Sequence, residues 1–235
     1  MELMTKEAFR VALEQEVKGR HSQASPFSAA WASGALSKEH FAHWVEQHYH
    51  YVGYFAEYLG YVYGNCDNKD AQDFLLQNMW EEELGGTRHT DLLIRFGEAC
   101  GTTREQVLHA ELLPTTLGVQ SWCYAMAMRK HFAVATAGLV VGLESQVPGI
   151  YRRQLPPLLE TYGFTEEETE FFDLHIVSDE VHGERGYQIV LENATTPELQ
   201  QECLAAVRQA TSLRWAYMDG IYRAFVQKEA VPTSA

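Results

Sequence analysis

Glu144 limits this chain's folding options more than any other residue. It stands in AVATAGLVVGLESQVP (133–148) and is the only acid in an apolar stretch of about twenty residues. A carboxylate there is costly unless it is paired or binds a metal. A fold must therefore bring partners to Glu144, or let that end of the segment meet solvent. The longest apolar run, AVATAGLVVGL (133–143), is too short to span a bilayer.

The surrounding text reads almost wholly as helix. Thr5–His21 is amphipathic, with Phe9, Leu13 and Val17 at helical spacing. SPFSAAWASG (25–34) is a short helix ending at a glycine. Ser37 is an N-cap for a helix running to about Gly64, aromatic on more than one face and so expected to be central. Asn68 or Asp70 starts the next helix; Gly85 and Gly86 interrupt it, and the pattern resumes to Gly101. Thr103-x-x-Gln106 and Thr165-x-x-Glu168 resemble capping boxes, the second opening a helix from Glu166 to about Asn193. Pro114 breaks the chain, a long segment from Thr116 to Val147 ends at Pro148, and Pro156-Pro157 interrupts the next. Pro197, just after Thr196, opens the last helix, to about Lys228. Seven or more helices and no convincing strand predict an all-α chain. It is expected to form a single helical domain over 1–235 with a frayed tail at about 229–235.

Nearly half the residues are apolar, enough for a substantial core, and the formal net charge is −14. Scarce Lys and Arg disfavour nucleic acid and anionic membrane surfaces as partners. The four cysteines (Cys66, Cys100, Cys123, Cys203) lie far apart with no C-x-x-C pair, and the first twenty residues lack an apolar signal core. Both features point to a reducing compartment, and the cytoplasm is the expected location.

HIVSDEVH (175–182) carries the clearest chemistry. On a helix, residues i, i+4 and i+7 lie within about 60° of one another, so His175, Asp179 and His182 share a face. Asp179 and His182 also reproduce the carboxylate-x-x-His device of helical di-iron proteins. Composition alone would yield this triplet roughly 0.05 times per chain, so it stands above the alternative of a solvated polar face. Glu82 and His89, seven apart in WEEELGGTRHTDLL and so expected on one helix face, form a weaker second pair; Glu81 and Glu83 are expected to point elsewhere. Glu144 is the third source. Three carboxylates and three histidines without a thiolate suit two ions of iron, and manganese is compatible with the same donors.

The order Glu82-x6-His89, Glu144, His175-x3-Asp179-x2-His182 resembles the heme-oxygenase-like di-iron oxidases and oxygenases. The resemblance extends to SPFSAAWASGALSKEHFAHWVEQHYHYV (25–52), the region 81–101 and GLESQVPGIYRRQL (142–155), from about residue 7 to 225. It implies a seven-helix heme-oxygenase-like bundle with two Fe(II) ions inside and O2 as co-substrate. It also implies a small substrate, often amino-acid- or fatty-acid-derived, undergoing N-oxygenation, desaturation or C–C cleavage in a biosynthetic pathway. One iron would take Glu82, His89 and a bridging Glu144; the other would take His175, Asp179 and His182. An external electron donor and a homodimer are both compatible with such an enzyme. Within the family, ESQ-hydrophobic-P is similar to the para-aminobenzoate synthase branch, where a tyrosine and a lysine are thought to take part in a self-sacrificing reaction. Here Ser28 and Gln154 stand at the matching positions, which favours an external substrate.

His48, Tyr51, Tyr54 and Tyr58 recur at helical spacing and are candidates for the cavity wall. Arg153, Arg185 and Arg152 are candidates to hold a substrate carboxylate. Two rival readings remain. One is a metal-free relative, either a quinone-cofactor oxidase similar to pyrroloquinoline quinone synthase or a thiaminase-like hydrolase using Cys123. The other is a partner-binding helical protein without turnover.

Overall fold

The computed structural model describes residues 2–227, so the expected frayed tail at about 229–235 lies outside the described residues. Helices α1 (Lys6–Gly19), α2 (Pro26–Ala32), α3 (Lys38–Val52), α4 (Phe55–Gly64), α5 (Lys69–Glu83) and α6 (His89–Cys100) form the first half. Then come α7 (Arg104–Leu108), α8 (Pro114–Arg129), α9 (Phe132–Thr136), α10 (Val147–Glu160), α11 (Glu170–Asn193) and α12 (Pro197–Ile221). The described residues contain no strand. The expected helix starts at Ser37, Asn68, Thr103 and Thr196 each accept a backbone N–H through the side chain, as do Thr5 and Ser25. Each satisfies one of the donors that a helix start leaves orphaned.

The helices outnumber the seven expected, because glycine and proline cut the chain differently. The aromatic helix from Ser37 breaks at Gly53, whose Cα lies against the Tyr49 carbonyl; a Cβ there would sit 2.5 Å from that oxygen. Pro114 opens α8 and does not merely end what precedes it. Thr165 and Glu168 do exchange capping hydrogen bonds, but residues 166–169 form a turn and α11 begins at Glu170.

The largest departure is at Pro148. The chain does not stop there; Phe132–Glu160 is one continuous helix of 29 residues. Its middle is irregular, with a π-helical stretch over Ala137–Leu143 and a 3₁₀ turn over Glu144–Gln146. The 3₁₀ turn lets Val147 N–H take the Glu144 carbonyl, which a proline at 148 could not serve. Pro156 and Pro157 likewise lie inside the helix. By length and composition this helix could cross a membrane, but 89% of its most apolar window is buried in the protein's own core.

Two apolar clusters divide this central helix. Ala135, Leu139, Val140 and Leu143 pack with the aromatic group of Trp31, Phe41, Trp44, Phe96 and Phe172. Val134, Ala137 and Val141 pack with Phe9 and Leu13 of α1 and with Leu204 and Val207 of α12. Each fully buried Val or Leu contributes about 1.5–3 kcal/mol relative to exposure. That burial on both faces holds the irregular middle, and Glu144 with it, in place.

Candidate metal centre

Four helical segments converge on one buried group of donors. Glu82 lies near the C-terminus of α5, His89 is the first residue of α6, Glu144 begins the 3₁₀ turn, and His175, Asp179 and His182 lie on α11. All six sequence-selected residues come together. Donor atoms of Glu82, His89 and His175 lie within 4.8 Å of one another, as do those of Glu82, Glu144, Asp179 and His182. Glu82 therefore belongs to both groups. This grouping differs from the pairing the resemblance implies: His175 sits with His89, and Glu144 sits with Asp179 and His182.

The local backbone explains these positions. Glu82 and His89 do not share one helix face, because Leu84–Arg88 leave the helix between them. The turn folds His89 back so that Nδ1 is 2.9 Å from Glu82 Oε2. The triplet on α11 does share a face, and its three side chains are buried. The π-to-3₁₀ transition places Glu144 and releases nearby carbonyls to side chains. Ser145 Oγ donates to the Val141 carbonyl at 2.6 Å, and Gln146 Nε2 donates to that of Gly142 at 2.5 Å. Helix irregularities of this kind gather at functional sites.

Electrostatics tie the groups together. Burial pushes the Glu144 carboxyl up; His182 opposes this, Asp179 and Glu82 add to it, and the result is about 7. Burial alone would push His182 down, but Glu144 and Asp179 outweigh it and raise it to about 12. His182 Nδ1 lies 2.8 Å from Glu144 and 3.4 Å from Asp179, so without metal the ring is a buried imidazolium between carboxylates. His89 is raised in the same way: burial lowers it and the Glu82 carboxylate prevails. Glu82 is lowered, its burial overcome by His89, His175 and His182.

The donor set fits a metal. It is all nitrogen and oxygen, the environment of iron or manganese. His89 Nδ1 is buried and, despite its proximity to Glu82, makes no aligned hydrogen bond. His175 Nδ1 donates to the Phe171 carbonyl at 2.6 Å, which leaves Nε2 as the free donor atom. Ligating histidines characteristically give their second nitrogen to such an acceptor.

A cavity of about 40 Å³ adjoins the donors and is lined by His48, Tyr51, Phe55, Tyr151, Phe171 and Arg214, among others. His48 and Tyr51 thus lie where the aromatic spacing predicted. Tyr54 does not; it is half-buried between Tyr49 and Tyr124, with centroids 6.5 and 6.4 Å away. Tyr58 is also absent from the lining, its hydroxyl turned to the Tyr51 carbonyl at 3.4 Å. The arginines differ most. Arg152 is exposed and paired with Glu180 at 2.5 Å, and Arg153 is exposed on an outer groove beside Ser28 and Gln154. Arg185 is half-buried and reaches Glu81 at 3.4 Å. None of the three lines the cavity; Arg214 of α12 does.

Two residues escaped the sequence reading. Arg214 lies on the apolar stripe Val207, Ala210, Thr211, Tyr217, Met218, Ile221, and a cation at such a position was a readable signal. Glu81 was expected to point away, yet its Oε2 lies 2.6 Å from His182 Nε2. Arg185, one turn beyond His182, was the clue that a carboxylate holds both. Glu83 does point away and pairs with Arg88 at 3.1 Å. Cys123 is fully buried, is no part of the cavity lining, and burial pushes its thiol up, the reverse of a reactive cysteine.

Comparison with known proteins agrees with this architecture. The chain is 30% identical over 229 residues to 4-aminobenzoate synthase of Nitrosomonas europaea, covering 93% of each chain. It is 25% identical over 235 residues to pyrroloquinoline-quinone synthase of Acinetobacter baumannii, covering 97% of this chain and 91% of that one. A crystal structure with a heme oxygenase-like fold from Shewanella denitrificans superposes with a TM-score of 0.81 at 18% identity, covering 97% of both chains. Residues 42–215 match the family model described as iron-containing redox enzyme, and the chain belongs to that family, with its heme oxygenase-like fold.

Proposed function

We propose that this chain is a non-heme di-iron oxidase or oxygenase that uses O2 to oxidise a small, amino-acid-derived substrate in a biosynthetic pathway. The observation that carries the reading is that Glu82 belongs to two donor groups at once. A shared carboxylate between two sets of nitrogen and oxygen donors suits a pair of ions. Glu82, His89 and His175 would hold one iron; Glu82, Glu144, Asp179 and His182 would hold the other. When bound, the two ferrous ions supply the electrons that reduce O2.

The chain's own residues orient and shield. The Phe171 carbonyl fixes the His175 tautomer, and Glu81 holds the outer nitrogen of His182. Tyr51, Phe55, Tyr151 and Phe171 wall the cavity and exclude bulk water. His48 is buried between two phenols, Tyr217 at 3.1 Å and Tyr151 at 3.3 Å, and desolvation keeps its pKa well below the ordinary value. It is thus a neutral acceptor beside the site. Ser28 and Gln154 lie on the outer groove, not in this cavity, which supports an external substrate. The biosynthetic names of the similar enzymes support a biosynthetic role. Four free cysteines suit a reducing cytoplasm.

Anaerobic Fe(II) titration followed by O2 consumption with a panel of amino acids and fatty acids tests this reading. Two irons per chain and substrate-hastened O2 uptake are expected. A folded chain that takes up no iron would overturn it and return attention to metal-free chemistry. Sedimentation velocity tests the expected homodimer.

A further inference from the structure

Arg214 is a buried cation without a counter-ion. It is 4% exposed and lines the cavity, yet among the described residues no carboxylate lies within 4.0 Å of it. Its partners are neutral oxygens: Nε donates to Ser22 Oγ at 3.1 Å, and Nη1 donates to Tyr51 OH at 3.1 Å and to the Leu143 carbonyl at 3.3 Å. Nη2 has no acceptor among the described residues. A guanidinium withdrawn from water is costly unless an anion joins it. The other charged groups of the cavity cannot serve. Glu82, Glu144 and Asp179 are drawn to His89 and His182, or to metal, and none pairs with Arg214.

We propose that Arg214 is the anchor for the carboxylate of the substrate, and that the substrate is a small monocarboxylate with an apolar body. The inference rests on the proposed function for what the cavity does. Arg214 fixes one end of the ligand, with the Tyr51 hydroxyl beside it. Val52, Phe55, Val147 and Phe171 supply apolar walls for the body. The other end then lies against Glu82, His89 and His175, where oxidation would occur. A fork of N–H donors matches a carboxylate better than a point charge does. The cavity, about 40 Å³, holds only a few water-sized positions, so the ligand is small or the aromatic wall yields to it. Ser22 is itself held by Gln146, whose Oε1 accepts from the Ser22 N–H at 3.0 Å. The guanidinium is therefore positioned by the same irregular helix that places Glu144.

The test compares acids with their amides. Isobutyrate and benzoate, with isobutyramide and benzamide as uncharged counterparts, are titrated into metal-free and anaerobically iron-loaded full-length protein, with melting temperature and calorimetry as readouts. Each acid is expected to bind at least about tenfold tighter than its amide in both forms. Arg214→Gln is expected to remove that discrimination in the metal-free form while circular dichroism stays helical; Arg214→Lys keeps part of it. Equal binding of acid and amide by the wild-type protein would overturn the proposal. So would discrimination that survives Arg214→Gln unchanged, since the iron or another cation would then be responsible. The wild-type comparison decides even if Arg214→Gln does not fold. Iron stoichiometry on the same samples separates the two readings. Acid-selective binding without iron uptake would leave the anchor standing and remove the di-iron function; two irons with no acid preference would do the reverse.

Discussion

Glu81 and His182 meet at 2.6 Å, carboxylate Oε2 to imidazole Nε2, while the other nitrogen of the same ring faces Glu144 at 2.8 Å. With Nδ1 turned to the donor group, Nε2 is left to donate to Glu81, and Arg185 steadies that carboxylate from outside at 3.4 Å. Carboxylates in this outer position orient the ring and raise its basicity; removing one typically costs about 10–100-fold in metal affinity. Glu81→Ala is therefore expected to weaken one of the two iron sites by about that factor while leaving the helical content intact. Anaerobic titration resolving two binding steps checks it; two wild-type-like steps would mean that Glu81 is only a surface partner of Arg185.

Metal and protons compete for the same atoms, and this sets a pH dependence. His182 is raised from 6.5 to about 12 in the folded chain, and Glu144 from 4.5 to about 7. For a raised group, the stabilisation is fully present below the unfolded pKa and is lost as pH rises through the folded one. Without metal, the chain should thus lose stability from about pH 4.5 to 7 through Glu144 and above about pH 6.5 through His182. Iron binding requires both groups deprotonated, so it releases protons and strengthens as pH rises. The melting-temperature gap between iron-loaded and metal-free protein is expected to widen between pH 6 and pH 8, about the range of ordinary buffers. A constant gap would show that His182 does not exchange its proton for metal.

The sequence was most legible where one helix carried the whole signal. His175, Asp179 and His182 share a face because helical geometry alone puts them there. Glu144 was readable from the cost of burying a carboxylate, but its partners were not, since they depend on how α5 and α11 pack. The arginines failed for a related reason. Arg152, Arg153 and Arg185 are near the donors in sequence, whereas Arg214 reaches the cavity only through the crossing of α12 against the central helix. The prolines misled because Pro148 is forbidden in a regular helix but tolerated after a 3₁₀ turn that has already reassigned the Glu144 carbonyl. A π-helical stretch has no single-residue signature, so the feature that aims Glu144 could be seen only in the fold.

Cys123 separates the metal-dependent reading from a thiol-dependent one. It is fully buried in the apolar core and is not part of the cavity lining. Cys123→Ala is expected to cost about 1 kcal/mol in stability, the ordinary result of trimming a small core side chain. Iron stoichiometry and substrate-dependent O2 uptake should stay within about twofold of wild type. Urea unfolding and an oxygen electrode measure the two effects. Activity abolished with iron binding intact would put the thiol in the chemistry.

Glycines at the helix crossings offer the sharpest test of how the fold aims its carboxylate. A Cβ on Gly142 would sit 2.5 Å from Ala210 Cβ on α12, two residues before Glu144. A Cβ on Gly186 would sit 2.5 Å from Val140 Cγ1, within the same π-helical stretch. Neither contact can be relieved by a flexible side chain, so the backbones must part, at about 1–3 kcal/mol for each alanine. Gly149→Ala, further along the helix with open space around its Cα, should instead be neutral or slightly stabilising. The two costly variants should differ in function. Gly142→Ala displaces the turn that carries Glu144 and should lose iron affinity together with stability. Gly186→Ala pushes on Val140, earlier in the helix, and should lose mainly stability. Melting temperatures and iron titrations on the three alanine variants give the comparison. Equal iron affinity in all three would mean that the donors correct themselves around the metal, and that the π-helical stretch serves packing alone.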